Sequence, residues 1–224
     1  MKNIFNPLKN YKTFHYPFGA KAAEHFNKSD EIKLFTYGSL LNKDSALRTM
    51  DEQTYNSRIT SVAFGYKRIF NRDVDIAASA RYTTPDNHLE RGMLNLLSTE
   101  NADDVVNGFI FDFKISALQA MCEREEGYDL VPCVVQPWDA FCEKQSDHSQ
   151  MSVAYTFVAP HEERSGVCPV SHEVLPVKEY FDLVKEGVSI YGEDFLQKWY
   201  DTTFLADKET PIADWEKQYE AERF

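Results

Sequence analysis

The sequence contains no run of about 18 uncharged apolar residues, the length a helix needs to cross a bilayer, so no membrane-spanning helix is expected. Cysteine is sparse: Cys122, Cys133, Cys142 and Cys168, with no pair at C-x-x-C spacing. An even count permits two disulfides. However, the opening residues MKNIFNPLKN place Asn, Pro and Lys where a secretory signal needs an apolar run, so the thiols read as reduced and the protein as cytoplasmic. Cys133, Cys142, His148, His161, Cys168 and His172 fall in one stretch, but only Cys168 and His172 form even a loose pair, and no metal site is expected. There is no G-x-S-x-G elbow around Ser39 and no histidine placed to activate it, which argues against a serine hydrolase. Basic charge is short as well. With 24 Lys and Arg against 36 Asp and Glu, the net charge is -12. Such a surface repels nucleic-acid phosphates and anionic lipid heads, so neither partner is expected. A small anionic substrate would need a local positive feature, such as converging backbone N–H groups. No internal repeat, low-complexity tract or linker divides the chain.

What is present suits a packed core: 43% hydrophobic residues, with 16 Phe and 12 Tyr. Residues 1–30 are aromatic and Lys-rich, with no acid before Glu24 and no Arg. They read as an N-terminal arm packing through Phe5, Phe14, Tyr16 and Phe18 rather than as a targeting peptide. Strands are expected over Ile32–Tyr37, over Ile59–Phe70 with a bulge or bend at Gly65, and over Asp75–Tyr82 before a Pro85-Asp86-Asn87 turn. Further strands are expected over Arg91–Leu97, Val106–Phe113, Tyr128–Trp138 and Val153–Val158. A polar turn or loop covers Glu143–Gln150. Short helices are expected over Asp44–Met50 and over Ser116–Cys122, the latter with Ser116 as N-cap. Tyr180, Leu183 and Val184 repeat at i, i+3, i+4 within a helix expected over Val177–Val188, followed by others at Asp194–Tyr200 and Ala213–Glu222. The order of strands, then helices, predicts an α+β fold. The division is an arm (1–30), a main domain (31–206) and a charged, helical C-terminal tail (207–224).

Two features could carry chemistry. Tyr37-Gly38-Ser39-Leu40-Leu41 follows an apolar strand, and glycine there lets backbone N–H groups turn outward as an anion site. Ser39 adds a hydroxyl. Taken alone, this is an ordinary turn. The second feature, Glu123-Arg124-Glu125-Glu126-Gly127-Tyr128, crowds acids at a helix C-terminus, where the dipole disfavours them. Mutual repulsion and partial burial would raise the pKa of one carboxyl toward that of a useful base. Taken alone, it reads first as a solvated acidic turn.

Together they resemble the γ-glutamylcyclotransferase superfamily, including its ChaC-like and AIG2-like members. The family's apolar strand followed by YGSL is matched at Tyr37–Leu40, and its apolar-x-x-Arg-Glu run at Met121–Glu125. Its Gly-Tyr-Arg-like strand is similar to Gly65–Phe70. Its glycine-led strands are similar to Arg91–Leu96 and Asn107–Phe111, its Ala-x-Thr-aromatic strand to Ala154–Phe157, and its Pro-x-x-x-Tyr segment to Pro176–Tyr180. The matched order spans most of residues 32–205. Phe157 stands where many members have Tyr, which removes a hydroxyl from that position.

The resemblance implies a small, mixed, partly closed β-barrel flanked by short helices. It also implies an enzyme without metal or other cofactor, acting on a small γ-glutamyl compound. The α-amine of the γ-glutamyl group attacks its own γ-carbonyl, releasing 5-oxoproline and an amino acid, peptide (glutathione chemistry included) or amine. Glu125 is the implied catalytic base, with Glu126 as the alternative. Tyr37, Gly38, Ser39, Leu40 and Tyr128 are the implied substrate-binding residues, the two tyrosines as walls of the pocket. A noncatalytic binding module that keeps the fold, and an enzyme restricted to γ-glutamylamines, are the alternatives.

Overall fold

The computed structural model describes residues 4–26, 31–74, 88–143, 150–160 and 170–222. The strand expected over Asp75–Tyr82, the Pro85-Asp86-Asn87 turn, most of the 143–150 loop, and His148, His161 and Cys168 lie outside these residues.

A 3-10 turn (Asn6–Asn10) and helix α1 (Gly19–His25) precede the first strand, β1 (Glu31–Thr36). The strand begins with alternating exposure and ends fully buried, because its last residues are covered on both faces. Short helices α2 (Lys43–Ala46) and α3 (Glu52–Asn56) follow, capped by Asn42 accepting from Ser45 N and Asp51 accepting from Thr54 N. The apolar run expected as one interrupted strand is two: β2 (Ile59–Phe64) and β3 (Tyr66–Asp73). Gly65 lies between them at φ +83, a conformation costly for any other residue, and there the chain leaves one sheet for another.

Next come β4 (Glu90–Ser98), β5 (Val105–Lys114) and helix α4 (Leu118–Arg124). Ser116 does not cap α4. It falls inside a 3-10 turn (Ile115–Ala117), and Ala117 occupies the N-cap without a side-chain bond. The remainder is β6 (Asp129–Pro137), α5 (Trp138–Cys142), β7 (Ser152–Val158), the two-residue β8 (Leu175–Pro176), α6 (Lys178–Ser189), α7 (Glu193–Asp201), β9 (Thr203–Leu205) and α8 (Ile212–Ala221).

Five strands close a barrel in the order β1-β5-β2-β6-β7. Its neighbours are antiparallel except at the seam, where β7 meets β1 in parallel through Leu34 and Tyr155. A second sheet, ordered β8-β4-β3-β9, joins an antiparallel β3–β4 pair to parallel partners on either side. The fold is α+β, with helices around a mixed barrel.

The main core is aromatic. Phe35, Phe109, Phe111, Phe113, Phe181 and Trp199 are fully buried in it. Phe14 and Phe18 join it, and Phe14 exchanges backbone hydrogen bonds with Leu130 of β6. Phe5 packs on a smaller cluster of Val62, Phe64, Val105 and Val134. Tyr16, expected to pack, is instead 37% exposed, and its N–H donates to Asp129 Oδ1 at 2.9 Å. At the other end, Ile212 and Trp215 of α8 enter the main core, with Trp215 edge-on to Phe181. Among the described residues no helix is long and apolar enough to cross a membrane.

Candidate active site

The end of β1 delivers Tyr37 and Gly38 into a 3-10 turn at Ser39–Leu41. Within it Leu41 N donates to Gly38 O and Asn42 N to Ser39 O. The Leu41 N–H is therefore spent on the turn. The donors that the turn itself leaves available are those ahead of its first bond, at Gly38, Ser39 and Leu40. A side chain on Gly38 would place its Cβ 2.8 Å from Tyr180 Oη, so the bare backbone leaves room for that ring.

From the opposite side of the chain, α4 ends at Arg124, and Glu125 forms its C-cap. Glu125 lines an open hollow, about 310 Å³ with the solvent at its mouth included, whose walls also include Tyr37, Gly38, Ser39, Leu40 and Tyr128. All six residues singled out in the sequence thus line one cavity. Glu126 is exposed and is not among the lining residues.

The electrostatics of the six differ. Glu125 has a side chain only 16% exposed. Burial raises its pKa above the ordinary carboxyl value, and the adjacent Arg124 guanidinium, with Nε 3.3 Å from Oε1, pulls the other way. The Tyr37 hydroxyl donates to Phe157 O at 2.8 Å, and its pKa is driven well above 10, chiefly by burial, so it stays neutral. The Tyr128 hydroxyl donates to Leu94 O at 2.8 Å. Both phenols give their protons to backbone carbonyls, which suits walls rather than proton carriers. Phe157 lines the hollow and accepts from Tyr37 through its carbonyl, without the hydroxyl that tyrosine would have brought.

Thr36, Leu94, Phe157 and Tyr180 complete the lining. Thr36, which sequence reasoning left without a role, has a buried Oγ1 with no hydrogen-bond partner among the described residues. It comes just before the glycine turn, and only the burial of the strand end distinguishes it. Tyr180 was visible in the Pro-x-x-x-Tyr segment and in the helical repeat, but not as a wall of the site. Arg124 was visible only as the neighbour of Glu125, yet it ties the two halves of the site together: Nη2 donates to Ser39 Oγ at 3.1 Å.

Cys122 and Cys133 are buried free thiols and Cys142 an exposed one. Among the described residues no group of three or more His, Cys, Asp or Glu could hold a metal ion.

No protein-family model and no curated protein matches the sequence. Solved structures do. A γ-glutamyl cyclotransferase aligns over 75% of this chain and 86% of its own, at 13% identity and TM-score 0.52. A yeast γ-glutamyl cyclotransferase specific to glutathione aligns over 81% and 98%, at 14% identity and TM-score 0.50. YkqA from Bacillus subtilis aligns over 79% of this chain and 56% of its own, at 16% identity and TM-score 0.55. Likeness at these identities is likeness of architecture: the closed barrel, the companion sheet and the flanking helices form the γ-glutamylcyclotransferase-like fold.

Proposed function

We propose that this protein is a γ-glutamylcyclotransferase, converting a γ-glutamyl compound to 5-oxoproline with release of the attached amino acid, peptide or amine. One observation carries the reading. A carboxyl with a raised pKa and a glycine turn that does not itself use the N–H groups of residues 38–40, distant in sequence, line the same small hollow.

The chemistry needs little more. A substrate α-amine is mostly protonated near neutral pH, so attack requires a base. Glu125 takes the ammonium proton. The freed nitrogen lone pair forms a bond to the γ-carbonyl carbon and closes a five-membered ring. The carbonyl π electrons move onto oxygen, where the N–H groups of Gly38, Ser39 and Leu40 and the Ser39 hydroxyl stabilise the charge. The oxyanion collapses, the bond to the leaving nitrogen breaks and Glu125 returns its proton to that nitrogen; Glu125 then takes the second proton from the new ring nitrogen and passes it to the released amine, so a neutral lactam and an ammonium product leave. No water is consumed, and no covalent enzyme intermediate forms. Holding the amine over its own carbonyl is a proximity effect, which a snug cavity walled by Tyr37, Tyr128 and Leu94 favours. Glu126, being exposed and away from the lining, suits the role of base less well than Glu125.

The test is 5-oxoproline release over a panel of glutathione, γ-glutamyl amino acids and γ-glutamylamines. Wild-type protein turns over at least one class, and Glu125→Gln lowers kcat by about 10²–10⁴-fold while leaving the fold intact. Turnover only of γ-glutamylamines would narrow the substrate class. Binding without turnover of any compound would identify a noncatalytic module and defeat the proposal.

A further inference from the structure

Arg124 uses its whole guanidinium inside the protein. Its side chain is 17% exposed. Nε faces Glu125 Oε1 at 3.3 Å, Nη1 donates to Ser45 O at 2.8 Å and Thr49 Oγ1 at 2.9 Å, and Nη2 donates to Ser39 Oγ at 3.1 Å and Ser45 Oγ at 2.8 Å. A guanidinium offers five N–H groups in a rigid fork, so this set leaves none for a ligand.

The set also dictates what its partners can do. Arginine only donates, so Ser39 Oγ is an acceptor toward Arg124 and keeps its own O–H proton. That proton has no acceptor among the described residues, and Ser39 lines the hollow. Glu125 Oε1 is engaged by Arg124, whereas Oε2 has no hydrogen-bond partner among the described residues. One guanidinium thus leaves a donor on one wall of the cavity and an acceptor on another.

We propose that Arg124 is a positioning residue. It fixes the Ser39 hydroxyl with its proton available to substrate oxygen, and the Glu125 carboxylate with one oxygen engaged and the other open to the substrate amine. The assignment of substrate groups rests on the cyclotransferase reading; the coupling of the three side chains does not. Arg124 also counters the burial that raises the Glu125 pKa. The other ionisable groups at the cavity are the hydroxyls of Tyr37 from the end of β1, Tyr128 from the start of β6 and Tyr180 from α6. Glu123 and Glu126, on the same element, are exposed.

The experiment joins side-chain carboxyl NMR titration of the ligand-free protein to steady-state kinetics. It uses wild type, Arg124→Gln and Arg124→Lys, with the Glu125 resonance assigned from Glu125→Gln. In Arg124→Gln, burial is unopposed, so the Glu125 midpoint moves to higher pH and kcat falls about 10²-fold from misplacement. Arg124→Lys keeps the charge, so the midpoint stays near wild type. Three donors on a flexible stem cannot span Ser39, Ser45, Thr49 and Glu125 together. Its kcat therefore falls at least about 10-fold, and the backbone amides of residues 38–41 shift. A merely structural arginine would lower stability in both variants and leave the Glu125 midpoint in place. An unmoved midpoint in Arg124→Gln, or wild-type kcat and unshifted loop amides in Arg124→Lys, overturns the proposal. Should Arg124→Gln not fold, Arg124→Lys decides. Should wild type release no 5-oxoproline, the titration and amide shifts still decide the coupling, and only the cyclotransferase reading falls.

Discussion

Burial raises the pKa of Glu125 from its ordinary value of 4.5, with Arg124 opposing. This has a consequence for stability separate from catalysis. A carboxyl whose folded pKa exceeds its unfolded pKa contributes stability below the unfolded value, where it is protonated in both states. That contribution is lost as pH rises through the folded value. At neutral pH the folded protein therefore carries a carboxylate that would be better solvated in the unfolded chain. Such a cost is expected where a base is tuned for function. Glu125→Gln removes the charge and keeps the shape, and Gln Oε1 can still accept from Arg124. The variant should melt higher than wild type at pH 7, and the gap should shrink as pH falls toward 4.5. Calorimetric melting of both proteins across that range measures it. Equal melting temperatures at pH 7 would mean that Arg124 fully compensates the burial. The run of glutamates made Glu125 visible in the sequence, but Glu126 equally so. Only the fold separates them, because the end of α4 turns one carboxyl inward and leaves the other in solvent.

Among the elements, α6 bears most directly on the site. Its apolar stripe is legible from Tyr180, Leu183 and Val184, and the helix forms at Lys178–Ser189, one residue from the expected bounds. Sequence spacing could not reveal what Gly187 does. A Cβ there would lie 2.6 Å from Leu41 C and Asn42 N, so the helix backbone rests directly on the chain leaving the glycine turn. Alanine is the better helix former by about 1 kcal/mol, and an exposed Gly→Ala change would stabilise. Here the clash is with backbone, which cannot rotate away. Gly187→Ala is therefore expected to destabilise by about 1–3 kcal/mol in urea denaturation. It should also lower kcat/KM by displacing residues 39–41. A more stable variant would show that the turn can yield. The other elements divide along the same line. The barrel strands with long apolar runs were readable within a residue or two. Helices α3 and α5 and strands β8 and β9 were not, because a few residues have no period and their form is set by what they pair with. Gly65 was readable as a break. That its two sides enter different sheets is a property of the assembled molecule.

At the scale of the molecule, the barrel and its companion sheet are joined by a buried cation. Arg68 of β3 is fully buried, and burial pushes its pKa down to about 9, which still leaves it charged at neutral pH. Its Nη2 donates to Asn107 O and Oδ1 on β5 of the barrel, and its Nη1 to Thr203 Oγ1 at 3.1 Å on the neighbouring strand β9 and to Trp199 O at 3.5 Å on helix α7. Every acceptor is neutral. The charge is offset by oriented dipoles rather than by a carboxylate, although the chain as a whole carries -12. The sequence marked this strand only as Gly-Tyr-Lys-Arg, and nothing in its spacing showed which cation would be inside. Burying a guanidinium without a counter-ion is costly, and the cost is met only while all of its acceptors are in place. Truncation reverses the case: Arg68→Ala relieves the desolvation but takes the donor from Asn107 O and Oδ1 and opens a cavity between the two sheets, while Trp199 O keeps its bond from Thr203 Oγ1. Unsatisfied buried acceptors cost about 1–3 kcal/mol each, and the missing side-chain volume adds to that. The net expectation is a loss of about 3 kcal/mol or more by urea denaturation with an unchanged m-value. Arg68→Met, which fills the space without the charge, should recover part of the loss. If alanine proved as stable as wild type, the two sheets would be held together by their aromatic core alone, and Arg68 would be a passenger at their junction.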